Sequence, residues 1–211
     1  MKTVQGSVLL GVLWGLLPHG SANASPPTLD MDECLIRADA LPAGTPRFQD
    51  HPARPVSVSK PAPVDLRGNP AARAFRTRLR LGAKEGPNFA GHYTIIAWGC
   101  GMGCIDWGVV DAVSGKVFFA PDLRGISNDH VREPDSERDL MDGVDRTTLQ
   151  LRFRRDSNLL IVLGTPNEDS SREGVAFYRW TGRTLQSVGF VPRTAFCEVA
   201  PSPAPQPSPP R

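Results

Sequence analysis

From Gly91 to Phe190 the chain runs through short stretches of β-branched and aromatic residues separated by turn formers. That pattern rules out a helical bundle and commits the sequence to antiparallel β structure. Residues 92–98 read as one strand, and residues 105–112 turn through Ser114-Gly115 into 116–120. Residues 148–154 and 159–163 flank Asp156-Ser157-Asn158, and residues 175–180 and 184–190 flank Thr181-Gly182-Arg183. Hairpins in succession predict a meander. The expected fold class is α+β and mostly antiparallel β, with the hairpins forming a sheet or a partly closed barrel.

One N-terminal helix is expected to precede the strands. Asn69-Pro70 supplies a side-chain cap and a proline at the first helical position, and Gly86-Pro87 supplies a stop. Ala72, Phe75, Leu79 and Ala83 then share a face. A strand competes for the same residues, because Phe75, Thr77, Leu79 and Leu81 alternate with Arg76, Arg78 and Arg80. The helix is favoured.

The ends of the chain read differently. Lys2, an apolar run over 8–17 and Ala22-Asn23-Ala24 have the order of a secretory signal, so residues 1–24 are expected to be removed. About ten apolar residues fall short of the roughly twenty a membrane-spanning helix needs. Residues 25–62 are rich in proline and small side chains, with 31–36 the part expected to pack. Residues 63–199 then form a single β-rich domain, and 200–211 form a disordered Pro-rich tail. The expected destination is periplasmic or secreted. With 24 basic and 22 acidic side chains the formal net charge is +2, which does not call for nucleic acid or an acidic substrate.

An exported chain with four cysteines is expected to hold disulfides, and four cysteines allow three connectivities. The simplest pairing joins Cys34 to Cys197 and Cys100 to Cys104. Gly99, Gly101 and Gly103 let the second pair close a sharp turn. Two sharper readings compete there: a redox-active disulfide, and a zinc site built from His92, Cys100 and Cys104. The spacing is not Cys-x-x-Cys, and no fourth zinc ligand is evident. No metal and no cofactor are expected.

His92 and Asp106 are the weak catalytic candidates, with Asn88 and Asp111 as neighbouring polar groups. No Gly-x-Ser-x-Gly elbow, His-Glu-x-x-His helix or Walker loop accompanies them, so a histidine hydrogen-bonded beside the sheet is favoured. The glycine run lacks the following helix that a phosphate cradle needs. Asp135, Glu137, Asp139, Asp142 and Asp145 carry carboxylates suited to calcium, but Leu140 stands where an EF-hand needs glycine. A solvated acidic excursion is favoured. Arg67, Arg73, Arg76, Arg78, Arg80 and Lys84 form a basic group best read as a solvated face. Tyr93, Trp98, Trp107 and Trp180 offer stacking surface, with buried aromatics as the plainer explanation.

Three elements in this region carry a resemblance. Residues 88–93 read Asn-Phe-Ala-Gly-His-Tyr, 98–104 read Trp-Gly-Cys-Gly-Met-Gly-Cys, and 111–117 read Asp-Ala-Val-Ser-Gly-Lys-Val. The chain resembles a family of exported bacterial proteins with these motifs and no assigned activity. The resemblance implies a secreted domain and transfers no catalytic residue. The expected function is therefore an exported, disulfide-stabilised binding or inhibitor domain that meets an envelope protein or glycan. Trp98, Met102 and Trp107, beside the Cys100 to Cys104 turn, are its expected contact residues. The alternative is a small periplasmic hydrolase or redox enzyme using His92 and the cysteine loop.

Overall fold

The computed structural model describes residues 34–132 and 149–197. The signal over 1–24, the acidic group from Asp135 to Asp145 and the tail over 200–211 lie outside the described residues. Two short helices come first, α1 (Pro70–Ala74) and α2 (Arg76–Gly82). Asn69 caps α1 by accepting from the Ala71 N–H, and Pro70 sits at its start. The expected helix is thus broken in two at Phe75, whose φ of −105° and ψ of 16° are not helical. The strand alternative fails on burial. An alternating strand would hide Leu79 and Leu81 together, yet Leu79 is fully buried and Leu81 is 57% exposed.

Eight strands follow among the described residues, in two four-stranded antiparallel sheets. The first holds β1 (Tyr93–Gly101), β2 (Cys104–Asp111), β3 (Val117–Phe118) and β4 (Ile126–Ser127). β3 pairs with β2 at Val109 and Val110, and β4 pairs with the same strand at Cys104 and Ile105. The second holds β5 (Leu151–Phe153), β6 (Leu159–Gly164), β7 (Gly174–Trp180) and β8 (Leu185–Pro192) in that order. The meander is present, but it is divided between two sheets, and the described strands form no closed barrel. Ser127 and Thr165 exchange backbone hydrogen bonds of 3.2 and 3.1 Å and so join one sheet to the other.

Alternation sorts the side chains into three layers of core. Tyr93, Ile95, Trp107 and Val109 face the second sheet and meet Leu151, Phe153, Leu160 and Val162. Their neighbours Ile96, Trp98 and Val110 face the other way and pack under the helices with Ala72, Leu79 and Ala83. The outer face of the second sheet places Leu159, Ile161, Leu163 and Phe177 against Ile36 and Phe48. β6 is buried on both faces, which explains why residues 159–163 are continuously apolar. The Pro-rich segment packs beyond the expected stretch, through Leu41 and Phe48 as well as Ile36.

Candidate functional site

The three motifs are turn machinery. Asn88 behaves as a missing strand partner: its Nδ2 donates to the Ile95 carbonyl at 3.0 Å, and its Oδ1 accepts from the Ile95 N–H at 2.8 Å. Phe89 and Tyr93 exchange backbone hydrogen bonds across Ala90-Gly91-His92. Ala90 and Gly91 adopt positive φ of 44° and 89°. Gly91 is required there, since a Cβ would lie 2.6 Å from the Arg54 carbonyl oxygen. The loop docks on the β5–β6 turn through Gly91 N–H to the Arg155 carbonyl at 2.7 Å. Asp111 in turn accepts from the Val113 and Ser114 N–H groups and from the Ser114 hydroxyl, fixing the β2–β3 turn.

Both expected disulfides are present, Cys34 to Cys197 and Cys100 to Cys104. The second closes the β1–β2 tip and leaves neither sulfur as a thiolate, so the zinc reading has lost its ligands. Among the described residues no three His, Cys, Asp or Glu side chains gather as a metal site. The tip is anchored at Gly103, whose carbonyl accepts from the Asn128 N–H and from Gln150 Nε2.

The two catalytic candidates are not brought together. His92 Nε2 lies 3.6 Å from Asp111 Oδ1, and its ring stacks on Tyr93 with centroids 4.3 Å apart. Asp106 is buried on the helix-facing side and grips the Arg124 guanidinium through both oxygens. That pairing, led by the hydrogen bond, raises the Arg124 pKa. The three contact candidates are likewise separated. Trp98 is buried against Phe75 and Phe119, Trp107 turns to the inter-sheet side, and Met102 is fully exposed at the tip. They form no common surface.

Trp107 does line a different feature, a cleft of about 600 Å³ where the two sheets part at their β3 and β8 edges. The space holds roughly twenty times a water's liquid volume of about 30 Å³, so it is not a packing defect. One wall carries Trp107, Val109 and Phe118, with the Trp107 indole fixed by Nε1 donating to the Leu123 carbonyl at 2.7 Å. The opposite wall is built in cross-strand pairs: Trp180 with Leu185, Tyr178 with Ser187, and Ala176 with Phe190. A bulge between Phe177 and Tyr178 in the pairing keeps all three pairs lining the cleft, although Leu185 and Ser187 are odd-numbered and Phe190 even.

The aromatic end is closely packed. Trp180 meets Tyr93 and Phe118 edge-on at 5.2 and 5.5 Å. Tyr93 donates its hydroxyl to the Gly182 carbonyl at 3.2 Å, which ties β1 to the β7–β8 turn. Burial raises the Tyr93 pKa, the Asp111 carboxylate adds to the effect, and the adjoining Trp180 indole opposes it. The buried Trp180 Nε1 has no well-formed hydrogen bond among the described residues.

Among the described residues that line the cleft, the charged ones are Arg172, Arg183 and Asp122. Arg172 is held in place, donating to the Asp122 carbonyl at 2.7 Å and reaching the Tyr178 hydroxyl at 3.5 Å. Sequence reasoning had singled out Trp107 and Trp180 from this cleft but not Arg172, Tyr178, Arg183 or Ser187. Nothing in the sequence marks these four, because Tyr178 and Ser187 sit in ordinary strand alternation and Arg172 and Arg183 in turns.

No protein family, no curated protein and no solved structure matches the chain.

Proposed function

We propose that this protein is an exported, disulfide-stabilised binding domain of the bacterial envelope whose ligand enters the cleft between the two sheets. The observation that carries the reading is the cleft itself. Its volume falls within the range of about 300 to 1,000 Å³ usual for small-molecule sites, and its walls are aromatic and aliphatic with a few polar groups. The two disulfides and the signal-like leader support a place outside the reducing cytoplasm. Among the described residues no helix is long and apolar enough to cross a membrane. The motifs that resemble those of an exported family build the scaffold on which the cleft is held.

The test is titration of the purified protein with the uncharged fluorophore N-phenyl-1-naphthylamine. Saturable binding is expected, reduced by Ser187→Phe, which fills the cleft from an exposed rim position, and by Ala176→Leu, which fills it from within. A folded protein that shows no saturable uptake of the probe overturns the reading. So does uptake that neither substitution changes.

A further inference from the structure

We propose that the cleft selects an amphiphile with an apolar body and a single anionic head, the body along the partly exposed wall of Phe118, Tyr178 and Leu185 and the head at the lining guanidinium groups of Arg172 and Arg183. The inference rests on the cleft being the binding site and adds the chemistry of what it takes. The walls set the first half of the recognition. Phe118 and Trp180 are already packed edge to face, and Trp107 is pinned through its ring nitrogen, so an apolar body enters a preformed slot at small ordering cost.

The charges set the second half. Two guanidinium groups and one carboxylate line the cleft, and the Asp169 carboxylate lies near enough to Arg172 to be stabilised by it, so Arg183 is the lining guanidinium without an ionic neighbour among the described residues. Arg172 is oriented by its bonds to the Asp122 carbonyl and the Tyr178 hydroxyl, leaving donors over for a ligand. Arg183 is exposed on the β7–β8 turn and has no hydrogen-bond or ion-pair partner among the described residues. A guanidinium offers a planar fork that suits carboxylate or phosphate oxygens, and it is more strongly felt beside an apolar wall than in open water. The Asp122 carboxylate opposes a negative head, so the selection for an anion falls to the two arginines.

The experiment compares decanoate, decyl phosphate, decanol and decylammonium as competitors of the uncharged fluorophore. Decanoate should displace it best at low salt, and decylammonium should be weakest. Arg183→Gln should weaken decanoate by roughly five- to tenfold while leaving decanol unchanged. Added salt should reduce the preference for decanoate over decanol. Decyl phosphate carries nearly two charges at neutral pH; displacement equal to that by decanoate assigns the site to an anionic head of either kind, and preference for one assigns it to that oxyanion. Equal displacement by decanoate and decanol overturns the charge selection yet leaves the cleft as a binding site. Absence of probe binding from the start removes the underlying reading instead.

Discussion

Asp106 holds Arg124 by two parallel hydrogen bonds, and the guanidinium so held lies over the rings of Phe75 and Phe119 at 5.4 and 5.9 Å. A carboxylate that a sequence reader would offer to catalysis is thereby committed to the joint between sheet and helices. Asp106→Ala should lower stability by about 1.5 to 3 kcal/mol, the range for hydrogen bonds to charged groups. The figure stays modest because the Arg124 side chain is 35% exposed and water can solvate it. Urea denaturation reads the loss, and probe uptake by the remaining folded protein should be unchanged, since Asp106 does not line the cleft.

The two disulfides should differ in what they contribute. Cys34 and Cys197 are separated by 163 residues, and Cys100 and Cys104 by four. Chain entropy then assigns up to about 5 kcal/mol to the first and about 2 kcal/mol to the second. The paired serine replacement at 34 and 197 should therefore shift the urea midpoint far more than that at 100 and 104. Equal shifts would mean that the tip disulfide stabilises by something other than loop closure.

Gly164 ends β6 with φ of 113°, and a Cβ there would run into the Ser127 carbonyl oxygen that bridges the sheets. Gly164→Ala should destabilise by more than about 2 kcal/mol, from the strained backbone and the displaced bridge together. Gly99 is the control, because a Cβ there meets nothing within 4 Å. Thermal melts of the two alanine variants separate a required glycine from a dispensable one.

These relations show which parts of the molecule the sequence carries openly. Turn chemistry is local, so Ser114-Gly115 and Thr181-Gly182-Arg183 announced their hairpins, and an even cysteine count suggested disulfides while leaving three connectivities open. The division into two sheets was hidden, because Leu160 and Leu159 look alike and only the partner sheet decides which faces inward. The cleft was hidden for another reason. Its far wall depends on a bulge that changes the parity of β8, so Ser187 and Phe190 face one space although alternation puts them on opposite sides. The motifs of residues 88–117 lie where specific residues are needed for turns, while Arg172 and Arg183 reach the cleft from turns with no motif at all.

The last prediction concerns pH. Burial pushes the Tyr93 phenol above its ordinary value of 10.0, and the Asp111 carboxylate reinforces the shift. A phenol that is harder to ionise in the folded state contributes stability that is complete below the unfolded value. That contribution is lost as pH rises through the folded one, since the unfolded chain releases its proton first. Stability should therefore begin to fall near pH 10 and continue falling above it. Tyr93→Phe removes this titration together with the bond to the Gly182 carbonyl. The variant should start about 0.5 to 1.5 kcal/mol less stable at neutral pH and show a flatter decline in alkali. Urea midpoints measured from pH 8 to pH 11, with tyrosinate absorbance followed in parallel, test both parts. An unchanged alkaline slope in the variant would place the ionisation elsewhere.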